Sequence, residues 1–130
     1  MEKKIVIIDD NEDYILSMRL FLERNNFKVL SATDGEKGID LVKKEKPDLV
    51  LLDVMMETLF SGFEVGRKIK DDPELAHISV IGISGMHDEI HVKFDKYRDE
   101  EYFKPDDFFE KPVDKDELLL KINMLLGIKA

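Results

Sequence analysis

Short, continuous apolar runs alternate along the chain with segments whose apolar residues recur every three or four positions. Continuous runs rich in β-branched residues are typical of strands buried on both faces, whereas the wider spacing predicts a helix with one buried face. The runs predict five strands, over residues 5–8, 28–30, 49–52, 78–83 and 108–109. The spacing predicts helices over residues 12–25, 35–46, 62–71 and 88–99, and a last helix that begins at Asp114 and stops at Gly127.

This order of elements, a strand followed by a helix five times, predicts a doubly wound α/β domain. Parallel strands joined in this way require right-handed crossovers, and helices then cover both faces of the sheet. We therefore expect one domain over residues 1–130, built on a five-stranded parallel sheet with helices on both faces.

Composition narrows the function classes. A length of 130 residues fits one domain. The absence of cysteine excludes a disulfide scaffold, a thiolate metal site and a cysteine nucleophile. The 20 basic and 29 acidic residues give a net charge of −9, which would repel nucleic acid and anionic membranes. We therefore expect neither of these among the partners.

The chain also lacks the apolar stretches that direct proteins to or across membranes. No run approaches the roughly 18 residues of a membrane span. The amino-terminal run is only four residues, from Ile5 to Ile8, which is shorter than the roughly 7–15 residues of a signal peptide. We therefore expect a cytoplasmic protein.

Polar residues follow the predicted strands where each one ends. Asp9 and Asp10 follow the first strand, Asp53 the third, Ser84 the fourth and Lys111 the fifth. Taken alone, each has an ordinary explanation: a turn or helix cap for Asp10, a structural acceptor for Asp9 or Asp53, turn chemistry for Ser84 and a solvated lysine. In open α/β sheets, however, these strand ends meet at one crevice, so the five side chains are expected to converge.

Three converging carboxylates require a counter-cation. Two like charges about 4 Å apart repel each other by roughly 4 kcal/mol at an effective dielectric constant of about 20, and one lysine cannot neutralise three acids. A hard divalent ion can, so we expect Mg²⁺ (or Mn²⁺) at this edge. Carboxylates, a divalent ion, a lysine and a hydroxyl suit phosphoryl transfer in which one carboxylate is the nucleophile.

Four segments carry a family resemblance: IVIIDDNED, PDLVLLDVMM, VIGISG and FFEKPV. In this order and spacing they resemble the signature segments of the response-regulator receiver domain, over essentially the whole chain. The resemblance implies a flavodoxin-like sheet with the strand order 2-1-3-4-5. It implies that Asp53 is the phosphoacceptor. It also implies that Asp10 binds Mg²⁺ directly and Asp9 more indirectly, with the backbone carbonyl of Met55 as a further ligand.

The resemblance also assigns roles to residues at and after the ends of the fourth and fifth strands. Ser84 and Lys111 would contact the phosphoryl group, and Pro112 would follow a cis peptide bond. Phe108 falls at the aromatic switch position. Met55 and Met86 occupy the two positions that flank the approach of the dephosphorylating water.

The sequence departs from the family pattern in two places. Family members usually have proline four residues after the phosphoacceptor, where this chain has Glu57, and the glycine that follows, Gly62, comes one residue late. The segment between Ser84 and Lys111 is several residues longer than usual. The sequence therefore does not determine the backbone conformation of the loop over residues 57–61 or of the segment between Ser84 and Lys111.

The expected function is a signalling module of a two-component system or phosphorelay. It would take a phosphoryl group from a sensor histidine kinase or a histidine phosphotransfer protein onto Asp53 and change a partner-binding surface. It would catalyse its own phosphorylation and dephosphorylation, without turnover of an external substrate. Since the sequence ends at Ala130, just past the last helix, output is expected through another protein.

Two alternatives remain in view. A magnesium-dependent phosphatase of the dehalogenase-like type also uses an aspartate nucleophile, but it places that residue after the first strand with a second acid two positions on. Here Asp9, Asp10 and Asn11 do not match. A receiver-like scaffold that no longer takes phosphate would have lost Asp53 or Lys111, and both are present.

Overall fold

A computed structural model describes residues 2–54, 61–85 and 105–128 of the chain. Within these ranges the elements follow in the order β1 (Lys4–Ile8), α1 (Glu12–Arg24), β2 (Lys28–Ala32), α2 (Gly35–Glu45), β3 (Leu49–Asp53), α3 (Ser61–Asp71), β4 (Ser79–Ser84), β5 (Asp107–Glu110) and α4 (Lys115–Leu126). The helix predicted over residues 88–99 and the connection over residues 55–60 lie outside the described residues.

The five strands form one parallel sheet in the order β2-β1-β3-β4-β5. The predicted doubly wound architecture and strand order are therefore confirmed. Strand β2 extends two residues beyond its prediction, to Ala32, because Ser31 and Ala32 pair with Ile7 and Ile8 of β1. Strand β4 includes Ser84, which pairs with Glu110 of β5.

Two apolar layers cover the two faces of the sheet, because alternate side chains of a strand point to opposite faces. One layer joins alternate residues of β1, β3 and β4 to α2 and α3, with Phe63 and Ile69 of α3 in its centre. The other joins the intervening strand residues to α1 and α4, through Met18 and Leu22 of α1 and Ile122 of α4. For the predicted helices that lie within the described residues, the face predicted from the spacing is the face that is buried.

Side-chain caps begin the helices that flank the site. The side chain of Asn11 accepts from the backbone N–H of Tyr14 at the start of α1, and Asp114 accepts from the N–H groups of Asp116 and Glu117 at the start of α4. Helix α4 ends at Gly127, whose φ of 69° lies in the left-handed region. Both predicted boundaries of this helix are confirmed.

Two side chains anchor the entrance to β5, the edge strand that precedes Lys111. The carboxylate of Asp106 accepts from the Val80 N–H at 2.7 Å and from the Lys70 ammonium at 3.0 Å. Lys70 also donates to the carbonyl of Ile78 at 2.7 Å. These bonds join the end of α3 to β4 and to the residue before β5. They therefore help to position β5, the strand that Lys111 follows.

None of the helices in the three described ranges is long and apolar enough to cross a membrane.

Candidate functional site

Four strand ends deliver the polar side chains to one edge of the sheet. Asp9 directly follows β1, Asp53 and Ser84 are the last residues of β3 and β4, and Lys111 directly follows β5. The backbone continues the sheet into the site: the Lys111 N–H donates to the Ser84 carbonyl at 2.7 Å and the Asp9 N–H to the Ala32 carbonyl at 3.1 Å. The side chains therefore start from rigid strand backbone.

The three acids form a compact cluster. Asp9, Asp10 and Asp53 each offer a carboxylate oxygen, and these oxygens all lie within 4.8 Å of one another. Asp9 and Asp53 are only 1% and 6% exposed, whereas Asp10 is exposed. The cluster thus has two buried acids below and one at the solvent side, a donor set of hard oxygens that fits Mg²⁺ or Mn²⁺.

Lys111 lies against the buried acids. Its ammonium donates to Asp9 Oδ2 at 3.0 Å and lies 3.6 Å from Asp53 Oδ2. One ammonium against three carboxylates leaves an excess of negative charge, which favours a further cation at the cluster. The same lysine would meet the negative charge of any phosphoryl group attached to Asp53.

The first turn of α1 is organised by Asn11 and Asp9. The carboxylate of Asp9 accepts from the Asn11 N–H at 2.9 Å, and Asn11 in turn caps the helix. The capping role considered for Asp10 is therefore wrong in this structure, because the next residue performs it. Asp10 is left pointing its carboxylate oxygen into the acid cluster.

Tyr14 is a member of the site that the sequence did not indicate. Its ring lies beneath the Lys111 ammonium, with Nζ 4.3 Å from the ring centroid. Its hydroxyl is buried and has no hydrogen-bond partner among the described residues. Burial above all, and then the negative charges of Asp9 and Asp53, raise the pKa of the Tyr14 phenol above its usual value.

We expect Tyr14 to titrate only when the fold is lost. A phenol whose pKa is raised in the folded state stabilises that state below about pH 10 and ceases to do so as the pH rises further, because the unfolded chain ionises first. An alkaline titration of the phenolate absorbance should therefore show one of the three tyrosines ionising together with unfolding. Tyr14→Phe should remove that late component. Loss of an early component instead would contradict the burial of this hydroxyl.

Gly82 makes room for Phe108 beside the site. The two residues are paired across β4 and β5, and a Cβ at Gly82 would come 2.8 Å from Phe108 Cδ2 and 3.5 Å from Val54 Cγ1. The Phe108 ring therefore lies across the glycine and packs against the layer that contains Val54. The residue predicted as the aromatic switch thus lies against the strand that carries Ser84 and packs on the apolar layer that includes the residue after Asp53.

A groove of about 630 Å³ lies between α2 and α3, away from the cluster of Asp9, Asp10 and Asp53. Acidic and basic side chains line it in equal number: Lys43, Arg67, Lys68, Glu64, Asp71 and Asp72. Such a balanced lining favours no ligand charge, so we assign the groove no ligand.

Two of the predicted site positions lie outside the described residues. These are Met55, with its backbone carbonyl, and Met86. The expected cis peptide bond is present between Lys111 and Pro112.

The geometry agrees with the result of comparing the chain with known families. The family model of the response regulator receiver domain matches residues 5–123. The chain belongs to this family. Receiver domains are signalling modules that histidine kinases or phosphotransfer proteins phosphorylate, and they usually bind Mg²⁺ at an aspartate cluster. The family is therefore not that of the dehalogenase-like phosphatases considered above.

Individual relatives agree with this receiver assignment. The chain is 33% identical to protein PilH of Pseudomonas aeruginosa, over 95% of this chain and 98% of PilH. It is 36% identical to the polar-differentiation response regulator DivK of Brucella anthropi, over 66% of this chain and 69% of DivK. The signal receiver domain of a signal transduction histidine kinase from Syntrophus aciditrophicus superposes with a TM-score of 0.83, at 26% identity, over 96% of this receiver and 90% of that chain.

In this receiver we expect Asp10→Ala to weaken Mg²⁺ binding without loss of stability in the absence of metal. The substitution removes one of the oxygens that the acid cluster offers to a metal ion and one of three mutually repelling charges, and Asn11 still caps α1. Loss of an outer partner of a metal site already weakens binding by about 10–100-fold, so we expect at least about tenfold here. Titration calorimetry with Mg²⁺ and thermal melts in EDTA measure the two effects.

The matched control is Asp13→Ala, which removes another acid from the first turn of α1 outside the cluster. It should leave Mg²⁺ affinity unchanged. A large loss of stability in EDTA for Asp10→Ala would instead mean that Asp10 has a structural role.

Proposed function

We propose that this receiver takes a phosphoryl group onto Asp53 from a phosphohistidine and thereby changes a partner-binding surface. The donor is a sensor histidine kinase or a histidine phosphotransfer protein. The observation that carries the proposal is the position of Asp53: a buried carboxylate at the end of a central strand, 3.6 Å from the Lys111 ammonium and beside two further acids.

The transfer requires one bond to form and one to break. A carboxylate oxygen of Asp53 attacks the phosphorus atom, the phosphorus–nitrogen bond to the donor histidine breaks, and the imidazole leaves with the electron pair. The product is an acyl phosphate on Asp53. Mg²⁺ would be held by Asp10, Asp53, the Met55 carbonyl and, more indirectly, Asp9, and it would supply positive charge that offsets the negative charge of the phosphoryl oxygens.

Lys111 and Ser84 act on the transferred group. Lys111 needs little movement, because its ammonium already lies 3.6 Å from the Asp53 carboxylate to which the phosphorus would attach. Ser84 is fully buried at the end of β4, the strand that pairs with β3 and lies beside the end of β3 that carries Asp53. We propose that the ammonium pairs with one phosphoryl oxygen and the hydroxyl donates to another.

Phe108 links the site to a surface. Its ring is partly buried, lies against Gly82 and packs on the layer that includes Val54, so a shift of Ser84 or of the Asp53 strand end would change the space available to it. We propose that phosphorylation changes the position of this ring and thus the surface around β5. Since phenylalanine has no hydroxyl, the switch would operate by packing alone.

The direct test is phosphorylation without a kinase. Incubation with acetyl phosphate and Mg²⁺ should add one phosphoryl group, and peptide mapping after borohydride reduction should locate it at Asp53. Labelling should fail in EDTA. A protein that binds Mg²⁺ yet takes no phosphate from acetyl phosphate or a panel of kinases would instead fit the receiver-like scaffold.

We also propose that the phosphorylated state is long-lived. Met55 and Met86 flank the approach of water to the phosphorus in the resemblance, and neither side chain can orient a water by a strong hydrogen bond. Met55→Asn combined with Met86→Glu should therefore speed autodephosphorylation by about tenfold or more, because polar groups can position and activate the water. The decay of labelled protein in Mg²⁺ buffer measures this rate.

Met124→Asn provides the control for that pair. Met124 is 64% exposed on α4, so its replacement should leave the decay rate unchanged. If the wild-type protein loses phosphate as fast as the double variant, the two methionines do not shield the acyl phosphate.

The proposed setting is a single receiver domain over residues 1–130 in the cytoplasm, with output through another protein. The match covers 98% of the length of PilH, which leaves that relative almost no length for a separate output domain. The net charge of −9 argues against nucleic acid and anionic membranes as partners. Phosphotransfer profiling and cell fractionation test these statements; DNA binding at physiological salt would overturn the partner proposal.

A further inference from the structure

The ammonium group of Lys111 has neighbours of two kinds. The carboxylate oxygens Asp9 Oδ2 and Asp53 Oδ2 lie at 3.0 Å and 3.6 Å, and the Tyr14 ring centroid lies at 4.3 Å. The carboxylates attract the ammonium by charge, and the ring attracts it through the negative face of its π system. The side chain of Lys111 is nevertheless 25% exposed, so water could also receive this flexible group.

Metal binding and phosphorylation would affect these two kinds of attraction differently. A divalent ion and a phosphoryl group would claim the oxygens of Asp9 and Asp53 that now hold Lys111. The ring of Tyr14 would bind neither the metal ion nor the phosphoryl group, so it would keep its attraction for the ammonium. Tyr14 is therefore the neighbour that can retain Lys111 at the site in both states.

The backbone and the hydroxyl of Tyr14 indicate which part of the residue matters. The N–H of Tyr14 is fixed by the Asn11 side chain at 3.0 Å, so the capped first turn of α1 directs the ring toward Lys111. The hydroxyl is buried and has no partner among the described residues, so no hydrogen bond from it to that part of the chain holds the ring. The contact with Lys111 is made by the ring face.

We propose that Tyr14 is a positioning residue that holds the Lys111 ammonium beside Asp53, ready to pair with the incoming phosphoryl group. This inference rests on the proposed function for the step it assists, but the contact itself is independent of phosphorylation. It predicts that the ring matters and the hydroxyl does not.

Two substitutions separate these parts. Tyr14→Phe keeps the ring face, and Tyr14→Leu keeps apolar bulk without it. In metal-free protein, NMR should show the Lys111 ε-methylene protons shifted upfield by the ring in wild type and in Tyr14→Phe, and at ordinary positions in Tyr14→Leu. With Mg²⁺ and subsaturating acetyl phosphate, Tyr14→Phe should react within twofold of wild type and Tyr14→Leu about fivefold more slowly.

A double-variant cycle shows whether the effect passes through Lys111. Once Lys111 is replaced by methionine, Tyr14→Leu should change the phosphorylation rate no further. Tyr14→Met serves as a second ring-free variant if Tyr14→Leu does not fold. Normal rates and retained upfield shifts in a folded ring-free variant would overturn the inference, as would a Tyr14→Phe variant that behaves like Tyr14→Leu. Failure of the wild-type protein to take phosphate would count against the proposed function, while the NMR result would still decide the positioning role.

Discussion

Asp53→Asn is expected to abolish phosphorylation by acetyl phosphate and Mg²⁺. The asparagine amide has nearly the same shape as the carboxylate but is neutral and a poor nucleophile, so the acyl phosphate cannot form. Asp53 is buried at the end of β3, and the other acids of the cluster start from different backbone positions. Intact-mass measurement after incubation should therefore show one added phosphoryl group on wild type and none on the variant.

The control is Asp71→Asn, at the end of α3, where the side chain is 70% exposed. This variant should be labelled like the wild type. Full labelling of Asp53→Asn would mean that another residue is the phosphoacceptor, and peptide mapping of the labelled variant would identify it.

Gly62→Ala is expected to destabilise the fold and to disturb the acid cluster together. A Cβ at this position would overlap the backbone carbonyl of Asp53 and the Cα of Val54. These are backbone atoms of a buried strand end, so the overlap can be relieved only by moving α3 away from β3. We expect a loss of about 3 kcal/mol in the free energy of unfolding, at the upper end for overpacking, together with weaker Mg²⁺ binding.

Gly85→Ala is the matched control at the same edge of the sheet. A Cβ there would lie 3.8 Å from Lys111 Cδ, which is an ordinary contact. Urea unfolding should show a small change for Gly85→Ala and a large one for Gly62→Ala. Equal stabilities would mean that the first turn of α3 can shift without cost, and the close approach of Gly62 to β3 would then not be required.

Sequence patterns determined the architecture because the sheet is buried on both faces. Runs such as Leu49 to Leu52 are apolar throughout only when helices cover both sides, and that requirement predicts parallel strands with crossover helices. The meeting of Asp9, Asp53, Ser84 and Lys111 followed from the same logic, since the carboxyl ends of parallel strands share one edge.

The contacts within that edge were decided by tertiary packing. The helical spacing within residues 12–25 places Ile15, Met18 and Leu22 on one face, which the structure buries. That spacing does not reveal that Tyr14, beside this face, meets Lys111. That contact depends on how α1 lies against the sheet relative to the end of β5. Local periodicity carries no information about such a distance.

The glycines show the same division. Gly62 appeared in the sequence only as a departure in spacing, and Gly82 as one residue of a strand. Their importance comes from what lies across from them: the Asp53–Val54 backbone for Gly62 and the Phe108 ring for Gly82. The sequence by itself determined the order of the elements and which polar groups gather at one edge. Tertiary structure decided which of those groups touch, because close contacts between distant segments depend on how helices and sheet pack together.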